Sequence, residues 1–144
     1  MKSGIEFSLI YYDDDLLELC IRASNGIYSG ETKVYCSHDI IQKIKKALIG
    51  FPKSNNDSRE FEIGSVSSED TSGGAVLNFY CVNKSAHTNV HIQIQRNSGD
   101  SLNVLLESSS FNIKIEASTI DSFIKELEDI GTTIGATAFI KSAT

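Results

Sequence analysis

Between residues 75 and 116 apolar side chains recur at every second position: Leu77, Phe79 and Cys81, then Val90, Ile92 and Ile94, then Leu102, Val104 and Leu106, then Phe111, Ile113 and Ile115. A period of two puts them all on one face of extended chain, so the stretch predicts four strands in an antiparallel meander. Turns are expected at 83–86, at 97–100, where Gly99 supplies a flexible position, and at 108–110. The alternate positions, among them Asn78, Tyr80, His91, Gln93, Glu107, Asn112 and Lys114, are polar. An antiparallel sheet packed on one side only has this pattern.

The same alternation opens the chain. Ile5, Phe7, Leu9 and Tyr11, then Leu17, Leu19, Ile21 and Ala23, predict a hairpin turning at 13–15, with Glu6, Ser8, Glu18, Cys20 and Arg22 outward. Asn25 and Gly26 form the next turn, and 31–36 reads as a strand with Val34 packed and Lys33 and Tyr35 outward. The period then changes to that of a helix: Ile40, Ile41, Ile44, Leu48 and Ile49 make one stripe, with Ser37 as the expected N-cap and Gly50, Phe51 and Pro52 as the stop. Residues 60–63 predict a short strand, and GSVSSEDTSGG over 64–74 predicts a surface loop. A second helix is expected from Ser118, capped together with Asp121, with Ile120, Phe123, Ile124, Leu127 and Ile130 inward and Gly131 at its end.

These elements predict an α+β domain over 1–131, an antiparallel β-meander sheet of about seven or eight strands with two amphipathic helices packed on one face. Residues 132–144 are expected to be a loosely held C-terminal tail, from which Ile134, Phe139 and Ile140 can dock on the core. Periodicity leaves open whether the strands form one sheet or two, and in what order. At 144 residues the chain is long enough to bury a core without metal or disulfide.

No apolar run approaches the roughly 18 residues of a membrane helix, and the first residues do not have the form of a signal peptide. Three cysteines, an odd number without C-x-x-C spacing, fit a reducing cytoplasm. The net charge of −6 disfavours nucleic acid, whose phosphates require clustered Lys and Arg, and favours a basic partner.

Candidate chemistry is sparse. His87, His91 and Cys81 could meet a metal only if they converged, and alternation sends His91 to the polar face and Cys81 to the packed one. Cys36 lies near His38 and Asp39, but its position before the helix makes a junction residue the better reading than a catalytic dyad. Glu60 with Glu62, and Glu107 with Glu116, are acids on the open face without an aromatic cleft beside them. The residues therefore predict no enzyme, no cofactor and no metal, and point to a broad polar face carrying Tyr35, Tyr80, His91 and several acids.

The segments ASNGIYSGETKVY, GFPKS, REFEIG, LNFYCVNKSAH and IEASTIDSFIKELEDI, in this order around a helix, resemble a family of small bacterial α+β proteins found as immunity proteins of toxin and immunity systems, including contact-dependent growth inhibition. The resemblance implies a cytoplasmic toxin inhibitor, monomeric or weakly dimeric, that binds a cognate and basic toxin domain such as a nuclease. It implies steering by Asp57, Glu60, Glu62, Glu69 and Asp70 and by the acids at 13–15, anchoring by Tyr35 and Tyr80, and a contact at His91 on the same face. The alternatives are a small-ligand-binding protein or enzyme with a pocket between sheet and helices, and an adaptor that pairs through a sheet edge.

Overall fold

The computed structural model describes residues 2–66, 73–82, 87–100 and 102–143. In chain order these hold β1 (Gly4–Tyr12), β2 (Leu17–Ser24), β3 (Ser29–Cys36), α1 (Ile40–Leu48), β4 (Ser58–Gly64), β5 (Gly73–Cys81), β6 (Thr88–Asn97), β7 (Leu106–Ile115), α2 (Ser118–Ile130) and β8 (Thr137–Lys141). The fold is α+β, with two four-stranded sheets in the orders β3-β2-β1-β8 and β4-β5-β6-β7. Every pairing is antiparallel. No helix among the described residues is long and apolar enough to cross a membrane.

One continuous core joins the sheets and helices. Phe123 of α2 meets Phe7 of β1 edge-on, with ring centroids 5.3 Å apart. Phe51, just past α1, meets Phe79 of β5 at 6.2 Å. β3 touches all four strands of the second sheet. The close approach depends on Gly73, where a Cβ would run into Thr32 Oγ1. The Thr32 hydroxyl donates to the Gln95 carbonyl at 2.8 Å, which satisfies both groups inside the junction.

The helix stops follow their chemistry. Gly50 adopts φ 74° after α1, the left-handed conformation that glycine tolerates without strain, and Phe51 folds back into the core. The starts differ from expectation. The Ser37 hydroxyl donates to the Asp39 carboxylate, α1 begins at Ile40, and neither Ser37 nor Ser118 caps a helix with its side chain. Ile49, expected in the buried stripe, is 66% exposed, because the helix ends one residue before it.

Four further expectations are corrected. Leu102 and Val104 do not begin a strand; they lie in the β6–β7 connection, and β7 runs straight through 108–110, the predicted turn. The cause is local hydrogen bonding that competes with strand pairing. Asn97 Oδ1 accepts from the Gly99 and Leu105 N–H groups, and Asp100 Oδ1 from those of Leu102 and Asn103. Tyr11, expected inside, is 44% exposed, since an irregularity at Ile10 shifts the register so that Tyr11 pairs with Glu18. Cys20, expected outward, is buried, close enough to Arg22, Glu31 and Lys33 for their charges to act on its thiol. The segment after 131, expected as a loose tail, carries β8, which pairs with β1 and buries Ala138 and Ile140, while Ile134 stays exposed.

Candidate functional site

The outward row of the second sheet is where the structure gathers polar chemistry. Its register sets Glu60 opposite Asn78, Asn78 opposite His91, and His91 opposite Asn112, one residue from each of β4 to β7. Their inward neighbours Phe61, Leu77, Ile92 and Phe111 are in the core, so the pleat fixes which way the row points. The hairpin turn once expected at 108–110 is strand instead, and this brings Ser110 onto the same face opposite Gln93.

Hydrogen bonds tie the row together. Asn78 Nδ2 donates to Glu60 Oε2 at 3.2 Å, and the Ser58 hydroxyl donates to Asn78 Oδ1 at 3.1 Å. Tyr80 donates its hydroxyl to Asn112 Oδ1 at 3.3 Å, and His91 Nδ1 lies 2.9 Å from the same oxygen. His91 Nε2 lies 3.0 Å from Ser110 Oγ. With Asn112 Oδ1 accepting, Nδ1 carries the ring proton, and Nε2 accepts the Ser110 hydroxyl. The result is a polar platform whose members orient one another while remaining open to solvent at His91, Ser110 and Asn112.

Of the residues expected to act together, Glu60, Glu62, Tyr80 and His91 share this face. Glu62 also accepts from the Val66 N–H at 3.2 Å. Tyr35 is exposed on the outer side of the first sheet, in one cross-strand row with Glu18 and Tyr11, and so does not join Tyr80. Glu69 and Asp70 lie outside the described residues.

Asp57 is not on the platform. Arg59 Nε donates to Asp57 Oδ1 at 2.8 Å and Nη2 to Oδ2 at 2.9 Å, a two-pronged pair joined by the Lys53 N–H at 2.8 Å. Arg59 Nη1 also donates to the carbonyls of Ala47 and Ile49, both at 3.1 Å, and the guanidinium stands 5.8 Å from the centre of the Phe51 ring. Side-chain exposures of 12% for Asp57 and 19% for Arg59 leave little carboxylate for a partner. The Arg59 hydrogen bonds, with the Lys53 N–H second, hold Asp57 below the usual carboxylate range.

The remaining constellations separate. His38 Nε2 is 2.6 Å from the Asp13 carbonyl, turned to the β1–β2 connection, while burial, with the Asp39 charge second, pushes the Cys36 thiol up to about 11. A protonated thiol is a poor nucleophile at neutral pH. Cys81 Sγ lies 3.8 Å from the Ser54 carbonyl and does not meet His91.

Sequence reasoning missed Ser110 as a platform residue. The run Ser108, Ser109, Ser110 looks like a turn, whereas the even spacing from Ser110 to Asn112 is the signal for a continuous strand face. No family model, no curated protein and no solved structure matches the chain.

Proposed function

We propose that the protein is an immunity protein, a cytoplasmic binding module that covers a basic toxin domain, such as a nuclease of a contact-dependent growth inhibition system, and so neutralises it. The observation that carries this reading is the platform on β4 to β7, an open sheet face whose polar side chains are already oriented by one another. A surface ordered before contact loses less conformational freedom on binding. Glu60 and Glu62 at one side of it, in a chain of net charge −6, suit a cationic partner and speed its encounter. Tyr80, half-buried and hydrogen-bonded, is the aromatic anchor within this face.

The test takes the C-terminal domain of the protein encoded immediately upstream, co-purifies it with this chain and asks whether this chain rescues cells that express that domain. A complex that protects cells supports the reading, and loss of both with Tyr80→Ala places the contact on the platform. Neither complex nor rescue removes it.

A small-ligand reading has one observation in its favour. A cavity of about 410 Å³ opens among Val82, His87, Thr88, Asn89, Lys114, Ile115 and Ala143, and Asn89 Oδ1 is buried without a hydrogen-bond partner. It lies at the end of β5 and β6 rather than between sheet and helices, where such a pocket was expected. A small molecule retained through purification and seen by native mass spectrometry would promote this reading.

A further inference from the structure

We infer that Ser110, His91 and Asn112 form an acyl-transfer site on the outer face of β6 and β7, with Ser110 as nucleophile, His91 as its base and Asn112 as the positioning residue. Three observations carry it, and none depends on a protein partner.

The first is the order of contacts. Ser110 Oγ to His91 Nε2 is 3.0 Å, and His91 Nδ1 to Asn112 Oδ1 is 2.9 Å. A hydroxyl within reach of a base that is itself oriented by a third group is the arrangement nucleophilic catalysis requires. Tyr80 donates to the same Asn112 oxygen and so fixes the amide that holds the ring. The second is access, because Ser110 and His91 are both exposed.

The third is a place for developing negative charge. The Asn112 carbonyl accepts from Asn25 Nδ2, and the Lys114 carbonyl from the Ala143 N–H, both contacts on the side of β7 away from β6. Strand residues two apart aim their backbone groups the same way, so the Ser110 N–H also faces that edge. Gln93 stands directly opposite Ser110 on the same face, at the roughly 5 Å Cβ spacing of a cross-strand pair. The Ser110 N–H, beside its own Oγ, is the donor argued to meet the oxyanion, which forms on the former carbonyl oxygen of the substrate.

The substrate class is a small carboxylic ester with a good leaving group, since an open sheet face offers no deep acyl pocket. Ser110 Oγ attacks the carbonyl carbon as its proton passes to His91 Nε2. The tetrahedral adduct collapses, the ester C–O bond breaks, and Nε2 returns the proton to the departing alcohol. Water, deprotonated by Nε2, then cleaves the acyl-Ser110 ester, releasing the carboxylic acid and restoring the hydroxyl.

The test treats the native protein with p-nitrophenyl acetate and, separately, with a fluorophosphonate probe, and maps adducts by peptide mass spectrometry. The expected result is one adduct, on Ser110, absent from the urea-unfolded protein and from Ser110→Ala. His91→Gln is expected to slow labelling about 100-fold, the scale of a lost general base. Asn112→Leu slows it as well, while Asn112→Asp retains it, which a merely structural role for Asn112 would not do. Labelling no faster than in the unfolded protein, adducts elsewhere than Ser110, or an unchanged rate in His91→Gln would each overturn the proposal. The wild-type labelling alone decides the matter if a variant fails to fold.

Discussion

Asp57 and Arg59 stand within five residues of Glu60 and Glu62, yet the two groups do opposite things. The first pair closes a corner under the end of α1, where Arg59 holds Asp57 and the carbonyls of Ala47 and Ile49 and covers Phe51. The second pair lies on the open face, where Glu60 receives one neutral amide and Glu62 one backbone N–H. Strand alternation separates them: Arg59 is opposite Phe79, on the packed side, and Glu60 is opposite Asn78, on the solvent side. A count of acids along the chain treats the three carboxylates alike. Their value to a partner depends on what each already holds.

The largest expected effect comes from the apolar floor of the corner. Phe79 is fully buried, with Phe51 at 6.2 Å and Phe61 stacked at 5.9 Å. Phe79→Ala should cost about 3–5 kcal/mol in urea unfolding, from lost burial and the cavity left behind. Arg59→Ala should follow at about 2–3 kcal/mol, since it strands a largely buried Asp57 and leaves the Ala47 and Ile49 carbonyls without this donor. Tyr80→Ala on the open face removes one exposed hydrogen bond and a half-buried ring, and should cost less than Arg59→Ala. If Tyr80→Ala were the more damaging, the division into a structural corner and a binding face would be wrong.

Acid separates the regions next. Asp57 is held below its ordinary value of 3.8 by Arg59 and the Lys53 N–H. A carboxyl whose folded value is depressed stabilises the fold fully above the unfolded value, and the contribution is lost as pH falls through the folded one. Wild type should therefore exceed Asp57→Asn in stability at neutral pH, and the gap should narrow as pH drops below 3.8. Asp13, Asp39, Asp100 and Glu107 are also held low and are common to both proteins. The difference between the two unfolding curves isolates Asp57, and a gap independent of pH would show that the Arg59 pair is not what holds it.

Much of this fold was legible in the sequence, because period-two runs such as Leu77, Phe79 and Val90, Ile92, Ile94 fix which residues face the core whatever the strand order. The helical stripes were equally plain, except at Ile49. What escaped were features decided by pairing with distant chain. The irregularity at Ile10 depends on where β1 meets β2, and β8 is a strand only because β1 has an edge to receive it. Leu102 and Val104 alternate as a strand does, but Asn97 and Asp100 divert the local backbone N–H groups. The site was half legible for the same reason. Tyr80, His91, Glu60 and Glu62 follow from alternation, whereas Ser110 required the run of β7, and the removal of Asp57 required knowing that Arg59 faces inward.

The smallest effect on stability should come from Glu60→Gln with Glu62→Gln. Both residues are exposed, and an amide can still accept from Asn78 Nδ2 and the Val66 N–H, so the double substitution should stay within about 0.5 kcal/mol of wild type. Its consequence lies in kinetics. Under the proposed function, the double variant should associate more slowly with the basic toxin domain, several-fold at low ionic strength, and approach wild type as salt shortens the screening length to about 8 Å at 0.15 M and below that at higher salt. Asp57→Asn, which removes the same kind of charge from the corner, should change the association rate less, because that carboxylate is already paired with Arg59. Stopped-flow measurement of all three across a salt series would read the comparison directly. Equal slowing by Asp57→Asn and by the Glu60 and Glu62 pair would mean that net charge alone attracts the partner, and that the face on which a carboxylate lies is irrelevant to it.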